Sequence, residues 1–394
     1  MDAKAIRAAV SRRSDDYLEA LRAMVDVDCG TYTPDGVNRV ADMCEERFRS
    51  TGWKVERRAH QPGPGELRLG DIVIGTLAGD GGPRLLIIGH TDTVFPDGTA
   101  SERPFRVEDG KAFGPGVSDM KGGLLAGFFA VEALHELGSL PFGSVTYVCN
   151  PDEEIGSPFS GPLIRDLAGE ADVAFVLEAA RENGDIVSAR KGVSDARVEV
   201  VGRAAHAGVE PERGRSAVLE AAHKILALHA LNGRWPGVTV NVGVVEGGTR
   251  PNVVAERCML AVDIRGPDER SLGAAEAEVR RIAEEATFDG TSSAFTLSAW
   301  HRPMEKTEAT ERLVRMARET ADALGFDLRD AATGGASDAN TTAAAGVPTL
   351  DGLGPVGGRE HSPEEWLDVE SVVPRVSLLA DLMAKVRTAF QPPP

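Results

Sequence analysis

Apolar positions follow a helical period at the start of the chain: Ala3, Ile6, Ala9 and Val10, then Tyr17, Leu18, Leu21, Met24 and Val25. A second helix is predicted over 37–49, stopped at Thr51-Gly52. Strand-like runs follow at 54–58 and 71–77. The run 84–89 is continuously apolar behind a Gly-Gly-Pro turn, as a strand buried on both faces should be. A long helix rich in Leu, Ala and Phe is predicted over 120–137, and further buried strands at 145–149 and 173–177. This alternation predicts an α/β fold: a mainly parallel sheet with helices on both faces.

The pattern changes near residue 194. Residues 195–201 alternate like a half-exposed antiparallel strand. A helix at 216–231, strands at 238–245 and 253–264, a helix at 269–286 and a strand at 295–300 complete an α+β two-layer sandwich. After about 304 the chain returns to helix (309–324), short strand (349–350) and a final helix (370–390). The expected organisation is therefore a first domain made of 1–193 and 304–394, interrupted by an inserted domain at 194–303.

Composition narrows the function classes. Lys plus Arg is 43 and Asp plus Glu is 61, a net charge of −18. That argues against a nucleic-acid or anionic-membrane partner, since both need a basic footprint. No apolar run approaches the roughly 18 residues needed to span a bilayer. Cys29, Cys44, Cys149 and Cys258 form no CxxC pair and read as buried free thiols, so a cytoplasmic protein is expected. There is no GxSxG nucleophile elbow and no GxxxxGK[ST] phosphate loop.

Five segments stand out, and the first four hold acids or histidine at predicted strand or helix ends, where open α/β sheets bind ligands. His90 and Asp92 stand two apart after the 84–89 strand. Asp119 lies among glycines at a helix start, Asp152-Glu153-Glu154 ends the next strand, Glu178 ends another, and His361 sits in a late loop. Taken singly, most read as readily as a helix cap or a solvated loop residue. Jointly, two imidazoles and three carboxylates suit a pair of zinc ions, each with one His and one terminal carboxylate, sharing a bridging carboxylate. Cobalt or manganese would suit the same donors. Glu153 is then left free as a general base, and Asp92 can hold the other ring nitrogen of His90.

These segments, HTDTVFP, GPGVSDMKGG, NPDEEIGS, VLEA and a late His before Ser, resemble the co-catalytic dizinc family of glutamate carboxypeptidase, acetylornithine deacetylase, succinyl-diaminopimelate desuccinylase and aminoacylase. The resemblance runs in order through almost the whole chain. It implies that Asp119 bridges two metals, that His90 and Glu178 complete one site, and that Glu154 and His361 complete the other. It implies Glu153 as base, Asp92 as support for His90, and a cis peptide bond after Asp119. Glu178 matches the carboxypeptidase and deacylase branch, whereas the di- and tripeptidases tend to have Asp there.

In the inserted domain the resemblance covers His206, which would reach the active site of the second subunit of a homodimer and stabilise the oxyanion. It also covers Asn252, and Gly334 and Gly335 beyond the insert; Arg265, at a strand end, could grip a substrate carboxylate bidentately. The implied activity is hydrolysis of an amide beside a free carboxylate, glutamate carboxypeptidase-like. The alternatives are an N-acyl amino acid deacylase or amidohydrolase, and, from another class, an inactive metal-binding scaffold. Two departures fall where the substrate tail would sit: Ala331-Ala332-Thr333 replaces an Arg before the Gly run, and 354–360 carries an extra charge pair.

Overall fold

Strand Arg84–His90 is buried from its second residue onward, which explains its unbroken apolar run. It lies between strands Ser144–Asn150 and Val173–Val176 and pairs parallel with both. Thr349–Leu350 adds a parallel edge beyond Val173–Val176. On the other side Ile72–Ala78 runs antiparallel to Ser144–Asn150, and Lys54–Arg58 runs antiparallel to Ile72–Ala78. Five of the six strands thus point the same way, and one is reversed. The computed structural model describes residues 2–390, without the side chains of Ala299 and Trp300.

The described chain divides into two compact units. One comprises Met1–Ser188, Lys306–Ala332 and Ser337–Pro394; the other comprises Ala189–Glu305 and Thr333–Ala336. The short segment Thr333–Ala336 joins the second unit through its backbone. Lys191 N donates to Thr333 O, and the guanidinium groups of Arg265 and Arg190 donate to the carbonyls of Gly334 and Gly335.

In the first unit, helix Gly123–Glu136 is apolar nearly all round and buried along most of its length, the pattern of a helix enclosed by its neighbours. The helices Ala3–Ser11 and Val369–Ala389 pack against it. Phe48, Phe128 and Tyr147 meet in tilted and edge-on contacts with ring centroids 4.7 to 5.6 Å apart.

The helix expected from Met120 begins only at Gly123. Residues Val117–Gly122 form a wider irregular turn, with Asp119 and Met120 in non-helical backbone and a cis bond between them, the form the resemblance implied. Gly123 is required by packing: a Cβ there would stand 1.7 Å from Leu177 O. A small antiparallel sheet of Arg106–Glu108, Lys111–Phe113, Trp366–Asp368 and Gly357–Gly358 was not anticipated; its strands are too short for a periodic signal.

The second unit is a four-stranded antiparallel sheet in the order Thr239–Gly247, Arg257–Gly266, Gly192–Val201, Ser292–His301. Gly192–Val201 alternates buried with more exposed residues, because helices Ala217–His229 and Glu269–Glu284 pack on the sheet over a core that includes Val198, Leu260, Ile264, Leu272 and Val279. Among the described residues no helix is long and apolar enough to cross a membrane.

Gly123→Ala should lower the unfolding free energy by about 1–3 kcal/mol, because the new methyl must push away the strand end that carries Leu177 and Glu178. Urea denaturation with the midpoint and slope fitted separately measures this, and an unchanged midpoint would refute the packing argument.

Candidate metal centre

His90 ends the central strand and is almost fully buried. Its Nδ1 lies 3.0 Å from Asp92 O and 3.3 Å from Asp92 Oδ1, and its Nε2 lies 3.1 Å from Asp119 Oδ1. Glu178 Oε1 is 3.8 Å from the same Nε2. Asp92 is itself fixed: Thr31 Oγ1 donates to it at 2.6 Å, and the amides of Glu153 and Glu154 donate at 3.3 Å. One buried carboxylate therefore sets both the ring of His90 and the position of the acidic turn.

His361 approaches from the opposite side. Its Nε2 is 3.1 Å from Asp119 Oδ2 and 3.2 Å from Glu154 Oε2. The two oxygens of Asp119 thus each face one imidazole. His361 has φ 60° and Arg359 φ 63°, left-handed backbone that non-glycine residues seldom adopt. Ser362 helps to hold this turn, its hydroxyl donating to Arg359 O at 2.7 Å.

The irregular turn before Gly123 is kept in place by side chains. Glu365, buried, accepts from Gly116 N at 2.9 Å, Ser118 N at 2.8 Å and Asp119 N at 3.0 Å. Lys121 Nζ donates to the carbonyls of Val27 and Pro115, and Tyr17 Oη to Gly122 O. Neither Glu365 nor Thr31 was foreseen. A second acid four residues after His361 was the available signal for Glu365; nothing marked Thr31.

The acids and imidazoles of this cluster shift one another strongly. Burial alone would raise Asp119, but hydrogen bonds from His361 and His90 outweigh it and hold the carboxyl below its usual range. Hydrogen bonds to Asp119 and Glu154 push His361 up to about 10. Burial and the neighbouring Glu178 carboxylate push Glu153 well above the ordinary value. Burial likewise raises Glu154, whose Oε1 is buried with no hydrogen-bond partner. Such a cluster is a sink for positive charge. Ligand atoms of His90, Asp119 and Glu154 lie within 4.8 Å of one another, and so do those of His90, Glu153 and Glu178. The donor set fits divalent cations.

Asp152, next to this pair, points elsewhere: its Oδ2 accepts from Phe159 N at 2.6 Å and Ser160 N at 3.2 Å.

The remaining candidates lie in the second unit. His206 is exposed and forms a β-bridge with Val253, while Ala207 N donates to Asn252 O, so His206 and Asn252 share one corner. Arg265 Nη1 donates to Gly334 O at 2.9 Å. Its Nε is 3.1 Å from both oxygens of Asp263, so the guanidinium expected to be open for a carboxylate already has an internal one. Arg190 holds Gly335 O at 3.0 Å. The buried His301 is driven down to about 4 by burial and the charge of Arg190.

The folded α/β unit with two imidazoles on one carboxylate defines the class, a hydrolase built around a candidate cation centre. The chain belongs to peptidase family M20/M25/M40, whose family model matches residues 86–385. It is 28% identical to carboxypeptidase G2 of Pseudomonas sp. (strain RS-16) over 372 residues, covering 93% of this chain and 88% of that one. It is 29% identical to acetylornithine deacetylase of Myxococcus xanthus over 266 residues, covering 64% and 68%. The crystal structure of aminopeptidase PepT from Bacillus cereus ATCC 10987 superposes with a TM-score of 0.80 at 25% identity, covering 95% of this chain and 98% of that one.

Two predictions follow from these contacts. Glu365→Gln places an amide donor against a backbone N–H, and should lower the unfolding free energy of the chelated protein by about 1–3 kcal/mol; urea melts in excess chelator measure it. His301 is neutral when folded down to about pH 4, whereas the unfolded chain protonates it near pH 6.5. Its contribution is thus fully present above pH 6.5 and is lost as pH falls toward 4, about 2 kcal/mol by pH 5. Melts at pH 7 and pH 5 should show that loss in the parent and a smaller one in His301→Asn.

Proposed function

We propose that this protein is a dizinc carboxypeptidase or amidohydrolase that cleaves an amide next to a free carboxylate, glutamate carboxypeptidase-like. One observation carries the reading: Asp119 offers one oxygen to His90 and the other to His361, the placement of a bridging carboxylate between two cations. Two Zn²⁺ would be held by His90, Asp119 and Glu178 and by Asp119, Glu154 and His361; Co²⁺ or Mn²⁺ suits the same donors. Bound there, they would polarise the substrate carbonyl and acidify water.

The side chains supply the proton transfers. Glu153 accepts the proton of the attacking water and delivers it to the leaving nitrogen, a task that its raised pKa suits. Asp92 keeps the His90 ring oriented. His206, exposed on its own unit, would be supplied across a homodimer to the developing oxyanion. Exposed Val218, Leu219 and Leu226 on helix Ala217–His229, with Val244 and Val245 on edge strand Thr239–Gly247, support such a dimer. Arg265, Asn252 and the Gly334-Gly335 loop would orient the substrate carboxylate. The four buried free cysteines agree with a cytoplasmic setting.

A second reading, N-acyl amino acid deacylase, is favoured by the internal Arg265–Asp263 pair, which competes with a glutamate side chain for the guanidinium. Hydrolysis of N-acyl and peptidyl amino acids with and without C-terminal Glu separates the two. Sedimentation of the zinc-loaded enzyme reports the dimer.

Glu153→Gln should lose turnover by about 10²–10⁴-fold while still binding zinc. Metal analysis of the dialysed variant beside its kinetics checks both parts. Loss of zinc would make Glu153 a ligand, as its proximity to His90 and Glu178 also allows, and near-parental turnover would sink the assignment.

A further inference from the structure

Arg375 is a buried cation of the first unit that the centre described above does not use. It lies inside helix Val369–Ala389 with 2% of its surface exposed. Its guanidinium is spent on main-chain oxygens: Nε donates to Gly354 O at 3.0 Å, Nη1 to Gly184 O at 3.1 Å, and Nη2 to Gly352 O. Burial pulls the group down to about 10, with the charge of Asp185 opposing. A buried charge faced by neutral dipoles costs desolvation energy that no ion pair returns. What a guanidinium offers in exchange is several N–H groups in one rigid plane, enough to fix several carbonyls at once.

The three carbonyls belong to two loops, and both loops reach the strand end that carries Glu178. Gly354 N donates to Glu178 O at 2.9 Å, and Ala180 N donates to Pro355 O at 3.1 Å. The turn around Gly184 closes on Arg181, whose N donates to Asp185 O at 3.0 Å and whose O accepts from Gly184 N at 2.7 Å. Packing at this contact is tight. A Cβ on Gly354 would stand 2.8 Å from Leu177 O, 2.9 Å from Glu178 O and 3.1 Å from Gly123 Cα. A shift of Gly352–Gly354 is therefore passed to the backbone of Glu178. It need not reach His361, because the chain is pinned again between them, where Gly357 and Gly358 pair with Leu367 and Trp366.

We propose that Arg375 is a positioning residue for the centre: it holds loops 181–185 and 352–354 against the main chain of Glu178, and so sets the affinity of the cation that His90 and Glu178 hold, with little effect on the one at Glu154 and His361. This rests on the dizinc reading above.

The test is zinc affinity at both sites, measured without turnover by competition with a chromophoric chelator. Arg375→Lys keeps the charge and loses the fork, and Gly354→Ala pushes on Glu178 from the loop itself. Each should weaken one zinc by about 10–100-fold and the other by under about threefold. Val386→Ala, about three turns further along the same helix and fully buried, is the control for general destabilisation and should change neither. In a Glu178→Gln background, where that ligand is already replaced, Arg375→Lys should add under about threefold. Unchanged affinities in Arg375→Lys, equal losses at both sites, or the full loss persisting in Glu178→Gln overturns the proposal. Unchanged affinities in Gly354→Ala overturn it whether or not the Arg375 variant folds. A parent that binds fewer than two zinc ions overturns the dizinc reading and this inference with it, whereas a parent that binds two and is matched by its variants overturns the inference alone.

Discussion

The centre depends on holding Asp119 between two imidazoles, and that requires a buried stretch of backbone that is not regular helix. Residues Val117–Gly122 do not follow the ordinary helical ladder. Buried amides and carbonyls without such a ladder must find other partners. Distant side chains supply some of them: Glu365 accepts from the amides of Gly116, Ser118 and Asp119, and Tyr17 Oη donates to Gly122 O, while the turn's own Lys121 anchors it to the carbonyls of Val27 and Pro115. Tyr147 Oη donates to Leu124 O just beyond. The same late loop supplies Glu365 to the turn and His361 to Asp119, so the loop and the turn are fixed together.

This arrangement concentrates negative charge, and the fold divides its consequences among the acids. Asp92 accepts from a hydroxyl and two amides, Asp152 from two amides at Oδ2, and Asp338 from Ser157 and Asn150. These acids shape loops. Glu153 and Glu154 receive fewer backbone donors, and burial pushes both toward protonation, as it does Asp152 and Asp338. Within one Asp-Glu-Glu run, then, the first carboxylate accepts from backbone amides of its own loop, and the next two lie beside the imidazoles of His90 and His361.

The sheet and the helices were legible because their apolar periods are long and unbroken, as at Arg84–His90 and Gly123–Glu136. His90, Glu154 and Glu178 were legible because they follow strand ends in an α/β pattern, and His361 because a late His before Ser completes the ordered set of motifs. What stayed hidden has no period. Glu365 acts on backbone more than 240 residues earlier in the chain, and Thr31 meets Asp92 across 61 residues. The start of the long helix was placed three residues early because Met120 and Lys121 look helical in composition, whereas Asp119 and Met120 are not helical in backbone. The tie of Arg265 to Asp263, two residues apart on one strand, could have been read from the sequence, since side chains at i and i+2 share a face.

That tie bears on how a protein with a charge of −18 would recognise a carboxylate at all. Arg265 is more than a third exposed and already shared between Asp263 and the Gly334 carbonyl. An incoming carboxylate would therefore exchange with Asp263 rather than meet an open cation, and exchange of like for like yields little net affinity in water. The discrimination would then come from geometry, from the backbone of the Gly334-Gly335 loop that Arg265 and Arg190 fix from two sides.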